Sequence, residues 1–486
     1  MVSARTRRPG IWPALVAALL LPLPAAGAAG EGTRLASAIE STLRRLDLRK
    51  DEVGVHVTAL GSGRVIYAHN AARRFIVASN MKLVTAATAL EALGPDYEFR
   101  TALYGGGPVR NGVLEGDLIL RGGGDPTLGG RHEPEDAADI FRRWARVLKA
   151  RGIERIEGDV VADESFFDTV RRHPDWDRYP VWNWYYGTVS AVAINDNCVT
   201  VHVLPGDRPG QPARVTLEPA AAPLRVDVVC ETHASRHAIW FDRDRDADVL
   251  KVGGSVRVHA PVYSHPVTVP DPALYAACVL RDVLEREGVA VRGRARAAPA
   301  GAPADAEPLC VRSAALPAVL QAMLTRSHNH VAEQVLKTIG AETAGRGSWE
   351  TGTARAGALL REMGLGEDAF RLADGSGLSR ANELTPELIC ALLLHMSRTS
   401  SGTRFADMLA APAEEDTLRG RLTREPYRSA VRAKTGYLNG VGALSGYART
   451  RSGTEVAFSI LVNTSRPGSM RDRVDALCRA IVDHAE

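Results

Sequence analysis

The sequence predicts a protein of mixed α+β (α/β) class, in which helices and strands at both ends of the chain surround a large β-rich segment. Helical patterns flank an alternating β-hairpin before residue 100, and they return together with three strands after residue 310. Between about residues 100 and 300, short alternating strands are separated by frequent Gly and Pro turns. A chain of 486 residues is too long for one common domain, so we expect two or three.

The N-terminal elements begin with a helix over residues 34–48, followed by the hairpin strands EVGVHVTAL and GRVIYAHN. A strong helical pattern spans residues 79–94, with Ser79 at its start, where serine is a favoured cap. One helix over 134–151 interrupts the β-rich segment. The Ala/Pro/Gly-rich stretch 292–308 is predicted to be a linker or exposed loop.

The C-terminal part is again helical at first. The segment LPAVLQAMLTRSHNHVAEQVLKTIGAE contains two helical pieces around a polar break, and further helices are predicted over 353–364, 385–398 and 469–485. The runs RSAVRAKTGYL, GALSGYARTR and TEVAFSILVN alternate as strands, the last two as a hairpin. We therefore predict that residues 29–100 and 300–486 form one domain, into which residues 101–299 are inserted as one or two β-rich domains.

The first 28 residues have the pattern of a secretory signal peptide. Three arginines precede the apolar run IWPALVAALLLPLP, and Ala26-Gly27-Ala28 fits an A-x-A cleavage site. An uncleaved membrane anchor is the alternative, but prolines interrupt the run and it is short for a span. We therefore expect export to the periplasm or another extracytoplasmic space, as a soluble or peripherally membrane-associated protein.

Loss of this segment changes the charge of the chain. The whole chain has a formal net charge of +3, and the segment carries three arginines and no acidic residue, so its removal leaves a net charge of zero. A neutral chain gives no reason to expect nucleic acid or an anionic surface as a partner.

The cysteines do not have the spacing of a zinc site. No two of them form a C-x-x-C pair, and an exported chain can form disulfides, but the sequence does not select a pairing. Those in helical patterns, Cys390 and Cys478, are also consistent with small buried side chains. The six cysteines are Cys198, Cys230, Cys278, Cys310, Cys390 and Cys478.

The stretch FIVASNMKLVT places a serine and a lysine three residues apart at a helix start. Positions i and i+3 share one helix face, with Cβ atoms about 5–6 Å apart, so Ser79 and Lys82 can hydrogen-bond directly. A serine hydroxyl needs a base to become a nucleophile, and lysine can serve if burial or neighbouring positive charge lowers its pKa. An ordinary capped helix with a solvated lysine is the alternative.

Lysine usage favours the catalytic interpretation. Arginine suffices where only charge is needed but does not give up its proton in proteins, whereas lysine can. Lys82 also lies in an apolar run that should be buried, and a buried lysine needs a reason. Only six of the 60 basic residues are lysines: Lys50, Lys82, Lys149, Lys251, Lys337 and Lys434.

Two further motifs follow along the chain. The triplet SHN (327–329) lies in the polar break between two helical pieces, where a hydroxyl and an amide two residues apart can point the same way; a helix cap is the alternative. The triplet KTG (434–436) ends a strand-like run. Glycine there lets an extended substrate approach the backbone, and Lys and Thr can bind a carboxylate.

Three motifs follow one another along the chain: S-x-x-K at a helix start, S-x-N in a loop and K-T-G on a late strand. In this order they resemble the signature of the penicillin-recognising serine enzymes. The chain is most similar to their D-Ala-D-Ala carboxypeptidases/endopeptidases of the penicillin-binding protein 4 type, over nearly all residues after 28. The resemblance implies a β-lactamase/transpeptidase-like domain, with an antiparallel sheet flanked by helices, that carries the insert. It extends to GDPTL (124–128), GDVVADESFFD (158–168), NDNCVTV (195–201), DGSGLSR (374–380) and KTGYLNGVGALSGY (434–447).

The resemblance implies a catalytic role for five residues. Ser79 would attack the carbonyl of a D-Ala-D-Ala or cross-link peptide bond and form an acyl-enzyme, with Lys82 accepting its proton. Ser327 would relay a proton to the leaving amine, with Lys434 nearby. Asn329 would orient Lys82 and the substrate amide.

The resemblance also implies how substrate is held. Lys434 and Thr435, with Gly436 beside them, would bind the terminal carboxylate, and the backbone N–H groups of Ser79 and Tyr437 would form the oxyanion hole.

A pocket for the amino end of a diamino-acid side chain would include Asp163 and Arg380. A turn residue and a surface ion pair are the alternative interpretations of these two positions.

The chain departs from the family pattern in two places. His328 occupies a position where triplets such as SDN or SVN are more usual, and Asn439 stands where a related enzyme carries another amide, so substrate preference can differ. His328 and His330 form an H-x-H pair without an apparent third ligand, and we predict no metal and no cofactor.

Peptidoglycan stem peptides, and β-lactam antibiotics as covalent inhibitors, are the implied partners. A β-lactamase is one alternative, but no convincing motif for a deacylating glutamate lies between SHN and KTG, and the insert is large. A non-catalytic cell-wall binding protein is another, against which the three intact motifs argue. The balance of carboxypeptidase and endopeptidase action stays open.

Overall fold

The computed structural model describes residues 32–299, 307–412 and 416–485. The predicted signal segment lies outside these ranges, as does part of the predicted linker. Among the described residues, every helix is too short or too polar to cross a membrane.

The structure alternates helices and strands in the order expected at both ends of the chain. The helices of the described chain are α1 (Gly32–Arg45), α2 (Met81–Leu93), α3 (Ala137–Ala150), α4 (Pro272–Arg286), α5 (Leu316–Thr325), α6 (Asn329–Ala344), α7 (Trp349–Glu362), α8 (Pro386–Arg398), α9 (Gly402–Asp407), α10 (Tyr427–Ala430) and α11 (Met470–His484). The strands are β1 (Val53–Ala59), β2 (Val65–His69), β3 (Phe75–Ile76), β4 (Glu98–Gly105), β5 (Val109–Arg110), β6 (Val113–Leu114), β7 (Leu118–Gly122), β8 (Arg155–Ile156), β9 (Val160–Asp163), β10 (Cys198–Leu204), β11 (Arg214–Glu218), β12 (Arg225–His233), β13 (Ala238–Asp242), β14 (Val249–Arg257), β15 (Tyr263–Thr268), β16 (Ala290–Val291), β17 (Ala295–Ala297), β18 (Cys310–Ala315), β19 (Phe370–Arg371), β20 (Glu383–Leu384), β21 (Val431–Leu438), β22 (Val441–Arg449) and β23 (Glu455–Asn463).

A five-stranded antiparallel sheet brings the two ends of the chain together. Its strand order is β2-β1-β23-β22-β21. Successive side chains of a strand point to opposite faces, and both faces are covered here. Along β23, Phe458 and Ile460 pack in the core with α1 and α11, whereas Ala457 and Leu461 pack in the core with α2 and α8. The predicted antiparallel sheet flanked by helices is confirmed.

The segment between β4 and β18 is rich in strands, as predicted, and forms four small sheets around one hydrophobic core. The sequence prediction of a single helix in this segment is wrong, because α4 packs beside α3 in that core. Asp271 caps α4 by accepting the Leu274 N–H, and Pro272 opens its first turn, both ordinary start signals of a helix. The domain boundaries at residues 101 and 299 stay a prediction.

The cysteines are not paired. All six lie in the described residues as free thiols, and all except Cys278 are buried. The buried thiols of Cys390 and Cys478 lie against core residues, in keeping with the small-buried-residue interpretation.

Candidate active site

Ser79 and Lys82 face each other at the start of α2. The chain enters this helix through a 3₁₀ turn, Ala78–Asn80, so the helix N-cap falls on Asn80 and the expected capping role of Ser79 is wrong. Its hydroxyl is instead 3.1 Å from Lys82 Nζ. Ser79 is 8% exposed and Lys82 is 0% exposed. The helical i, i+3 spacing is sufficient to produce this contact.

Lys82 Nζ has three hydrogen-bond partners from three parts of the chain. Besides Ser79 Oγ, it lies 2.7 Å from Asn329 Oδ1 and 2.7 Å from the carbonyl oxygen of Ser376. An amide oxygen and a peptide carbonyl only accept hydrogen bonds. A neutral amine has two hydrogens and one lone pair. If it donates both hydrogens to these two oxygens, the lone pair faces the Ser79 hydroxyl, as a base for that hydroxyl requires.

Burial favours the neutral form of Lys82. Removal of the amine from water lowers the pKa of Lys82 to about 7, against a smaller opposite effect of the nearby carboxyl groups of Glu333 and Asp374. Burial is also the main cause of a lowered pKa at Lys434, to which the charge of Lys82 contributes. For the pKa of Lys434, the positive charge of Lys82 is therefore secondary to burial.

Ser327 and Lys434 form a second serine–lysine pair. Lys434 Nζ, fully buried on β21, donates to Ser327 Oγ over 2.9 Å and to the Thr435 carbonyl over 2.8 Å. Ser327 has a φ of 57°, in the left-handed region of backbone conformation that residues other than glycine rarely adopt. Asn80 Nδ2 donates to the Lys434 carbonyl over 3.0 Å, which ties the start of α2 to β21.

A cavity of about 390 Å³ lies over these groups and is lined by Ser79, Ser327, Thr435 and Tyr437, among others. Tyr185, from the segment between β4 and β18, also lines it, and its carbonyl accepts from Asn329 Nδ2 over 3.2 Å. This segment therefore contributes a wall of the site.

Gly436 is required by packing. A Cβ atom at this position would lie 2.9 Å from the Val77 carbonyl oxygen and 2.9 Å from Ala443 Cβ. The glycine thus lets β21 lie directly against the turn that carries Ser79, whereas the sequence suggested close approach of a substrate as its role. We expect a side chain here to push the two apart.

Asp163 and Arg380 do not line the cavity over Ser79. Asp163, at the end of β9, is 2% exposed and accepts the Ser165 N–H over 3.0 Å. Arg380 donates to the carbonyl of Asn439 over 3.0 Å. Asp175 contacts the loop of Arg380, since its carboxylate accepts from the Ser379 hydroxyl. The substrate-binding roles of Asp163 and Arg380 stay predictions.

His328 connects the S-x-N triplet to the β-rich segment. Its Nε2 lies 3.3 Å from Asp196 Oδ1, and the other oxygen of Asp196 lies 3.1 Å from Arg131 Nε. Burial lowers the pKa of nearby His330 to about 4, so this ring is neutral. In the described ranges, no group of three or more His, Cys, Asp or Glu residues is arranged to hold a metal ion.

One residue behind Lys82 was missed at the level of sequence. Glu333 lies one turn after Asn329 on α6, and its carboxylate accepts the N–H groups of Gly375 and Ser376 over 3.0 and 2.7 Å. It also accepts from Trp349 Nε1 over 2.7 Å. These bonds hold the Ser376 carbonyl against Lys82. An acidic residue inside the apolar run HVAEQVLKTIG was the available signal, since buried carboxylates need partners.

Replacement of Glu333 by glutamine is expected to move the acidic limb of the pH–rate profile to lower pH. The carboxylate raises the pKa of Lys82, so its removal lets burial lower that pKa further. The new amide also places an N–H₂ group against N–H donors, and we expect kcat/KM to fall about tenfold as the Ser376 loop shifts. The pH dependence of kcat/KM measures the first effect. An unmoved limb would show that Glu333 has only a structural role.

A serine within hydrogen-bond distance of a buried lysine, with a second serine–lysine pair and a strand-borne K-T-G beside it, is the arrangement expected of a serine hydrolase that uses lysine in place of a histidine base. The chain matches the model of the D-Ala-D-Ala carboxypeptidase 3 (S13) family over residues 35–481. It belongs to this family of serine enzymes, and the predicted resemblance to the penicillin-binding protein 4 type is confirmed.

Curated and solved relatives match along nearly the whole chain. A D-alanyl-D-alanine carboxypeptidase of Actinomadura sp. (strain R39) is 34% identical, over 93% of this chain and 86% of the relative. The crystal structure of penicillin binding protein 4 (dacB) from Haemophilus influenzae matches with a TM-score of 0.79 and 25% identity, over 91% of this chain and 98% of that chain. The endopeptidase Bd3459 of Bdellovibrio bacteriovorus, at 17% identity and a TM-score of 0.51 over 88% and 92% of the two chains, shares the fold.

Proposed function

We propose that this chain is an exported serine DD-peptidase that hydrolyses peptidoglycan stem peptides through an acyl-enzyme on Ser79. It removes C-terminal D-Ala, cuts D-Ala–diamino-acid cross-links, or does both, and penicillins acylate the same serine. The observation that carries the proposal is the hydrogen bonding of Lys82, which engages two oxygens that only accept and leaves a lone pair for Ser79.

Acylation begins when Lys82 takes the Ser79 proton as Oγ bonds to the substrate carbonyl carbon. The backbone N–H groups of Ser79 and Tyr437 stabilise the oxyanion, and such fixed donors need no reorganisation as charge develops. When the peptide C–N bond breaks, the proton that Lys82 took from Ser79 passes through Ser327 to the leaving amine, which leaves Lys82 neutral. Ser327 Oγ lies 2.9 Å from Lys434 Nζ.

Deacylation repeats the chemistry with water. Lys82, neutral again, takes a proton from a water molecule that attacks the acyl carbonyl, and the ester bond to Ser79 Oγ breaks. The proton then returns to the serine. The acid product leaves, and the balance over both steps is one water consumed for each peptide bond cleaved.

The experiment is to incubate the purified protein with a pentapeptide stem ending in D-Ala-D-Ala, and separately with a cross-linked dimer. Mass spectrometry should show loss of D-Ala from the first, cleavage of the second, or both. A fluorescent penicillin should label the protein in a one-to-one ratio, and the label should persist. Absence of both products and label would overturn the proposal.

A β-lactamase is distinguished in the same experiment by the fate of penicillin. Rapid hydrolysis of penicillin with no release of D-Ala would favour that function. A binding protein without catalysis would give neither product and no covalent label.

A further inference from the structure

The cavity over Ser79 extends beyond the groups that cut the peptide bond. Its lining includes four arginines, which we call the basic rim: Arg326, Arg419, Arg421 and Arg471. Asp416 is the one acidic side chain among the described residues that line the same cavity, so this described lining has an excess of three positive charges.

Two members of the basic rim carry charge that no described carboxylate neutralises. Arg471 is exposed in the first turn of α11, and Arg326 is exposed and donates to the carbonyl of His132 over 3.0 Å. Neither forms an ion pair with a described residue. By contrast, Arg421 is held by Asp475 over 2.6 Å, and Arg419 is engaged in another interaction. The inference therefore rests on Arg326 and Arg471.

Two members of the basic rim adjoin residues that handle the leaving group in the proposed mechanism. Arg326 directly precedes Ser327, the residue proposed to pass a proton to the leaving amine. Gly442 pairs with Tyr437 in the sheet. A Cβ atom added to Gly442 would lie 3.1 Å from Met470 Cβ, and Met470 directly precedes Arg471. A leaving group whose terminal carboxylate is at Thr435 thus shares one cavity with both arginines.

A leaving D-alanine has no second anionic group to place there. Its single carboxylate is accounted for by Lys434 and Thr435 in the proposed mechanism. Guanidinium groups match carboxylates in shape and charge, and the positive end of α11 reinforces the field in this part of the cavity.

We propose that the basic rim is a leaving-group subsite for an additional carboxylate, so that the preferred substrate releases an acidic amino acid or peptide strand. This inference rests on the proposed function and assigns its substrate class. Cleavage between two peptide strands, of which the leaving one is anionic, is then favoured over release of free D-alanine.

The test uses two donors with the same acyl part, one ending in D-Ala-D-Glu and the other in D-Ala-D-Gln. Their leaving groups have the same shape and differ only in the charge of the side chain. For the unmodified protein we expect kcat/KM to be at least about fivefold higher with the D-Glu donor, the effect of a well-formed ion pair. In the double variant Arg326→Gln/Arg471→Gln, the ratio should fall to about one.

Two further measurements keep the test independent of folding defects. Arg471→Glu should reverse the preference, and Arg257→Gln, an exposed arginine on β14 far along the insert, should retain the ratio of the unmodified protein. In the unmodified protein, raising the salt concentration to 1 M should lower the ratio, since the screening length shortens to about 3 Å.

The outcomes separate the two proposals. Failure of the unmodified protein to cleave either a D-Ala-D-Ala donor or the cross-linked dimer, together with absence of a penicillin label, would overturn the proposed function itself. Release of D-Ala with a D-Glu to D-Gln ratio near one, or a ratio that the Arg326 and Arg471 variants leave unchanged, would overturn the subsite and leave the proposed function standing.

Discussion

Replacement of Ser79 by alanine is expected to lower kcat/KM for D-Ala release by about 10⁴-fold or more and to abolish labelling by a fluorescent penicillin. The alanine variant lacks the oxygen that forms the acyl-enzyme, and loss of a nucleophile leaves only the contribution of binding and oxyanion stabilisation. The fold should persist, because the Ser79 hydroxyl does not cap α2. Intact-mass spectrometry after penicillin treatment measures the covalent adduct directly.

The matched control is Ser62→Ala, which alters an exposed serine in the turn between β1 and β2. It should retain both label and activity. A Ser79→Ala protein that still forms a stoichiometric penicillin adduct would place the nucleophile elsewhere, and one that still releases D-Ala would contradict the acyl-enzyme mechanism.

Replacement of Lys82 by methionine is expected to lower the rate of penicillin acylation by about 10³- to 10⁴-fold, the upper part of the range for general-base catalysis. Methionine fills a similar volume in a buried position but has no lone pair of comparable basicity. Lys82→Arg is the matched variant, since it retains the positive charge and does not deprotonate. If charge alone were needed, the arginine variant would retain activity, which would contradict the assignment of Lys82 as base.

The pH dependence of the unmodified enzyme follows from the same residue. The base acts when neutral, and burial lowers the pKa of Lys82 to about 7. The neutral fraction therefore rises as pH rises through 7, and kcat/KM should fall about tenfold for each unit of pH below that value. Stopped-flow acylation from pH 5 to 9 measures this limb, and a limb near the ordinary lysine value would contradict it.

The scarcity of lysine in this sequence is a better indicator of burial than of a catalytic role. Lys82 and Lys434 are fully buried at the site, but Lys337 is fully buried as well. Its amine is 2.7 Å from Asp168 Oδ1 and 3.9 Å from the ring of Trp349, away from the cavity over Ser79. A buried ion pair of this kind uses lysine for its charge. A scarce, buried lysine therefore indicates a catalytic residue only when it also lies in a motif such as S-x-x-K or K-T-G.

Helix α4 shows where a correct local signal was overlooked. The turn-rich, alternating texture of its surroundings suggested strands, yet Asp271 and Pro272 are a standard helix start and the following apolar residues have helical spacing. The longer helices α2, α6 and α8 were predicted because their apolar residues repeat with the helical period over more than two turns. The short helix α10 was not, because its residues 428–430 begin the predicted strand RSAVRAKTGYL.

By itself, the sequence determined the fold class, the antiparallel sheet between helices and the local contact of Ser79 with Lys82, because helix and strand periods depend on neighbours along the chain. Only the tertiary structure decided the surroundings of Lys82, the residue that we propose as the base. The oxygens of Asn329 and Ser376 that orient it lie 247 and 294 residues away, and packing of α2 and α6 removes it from water. Such burial and long-range hydrogen bonding have no local pattern, which is why Glu333 and the basic rim became visible only in the folded chain.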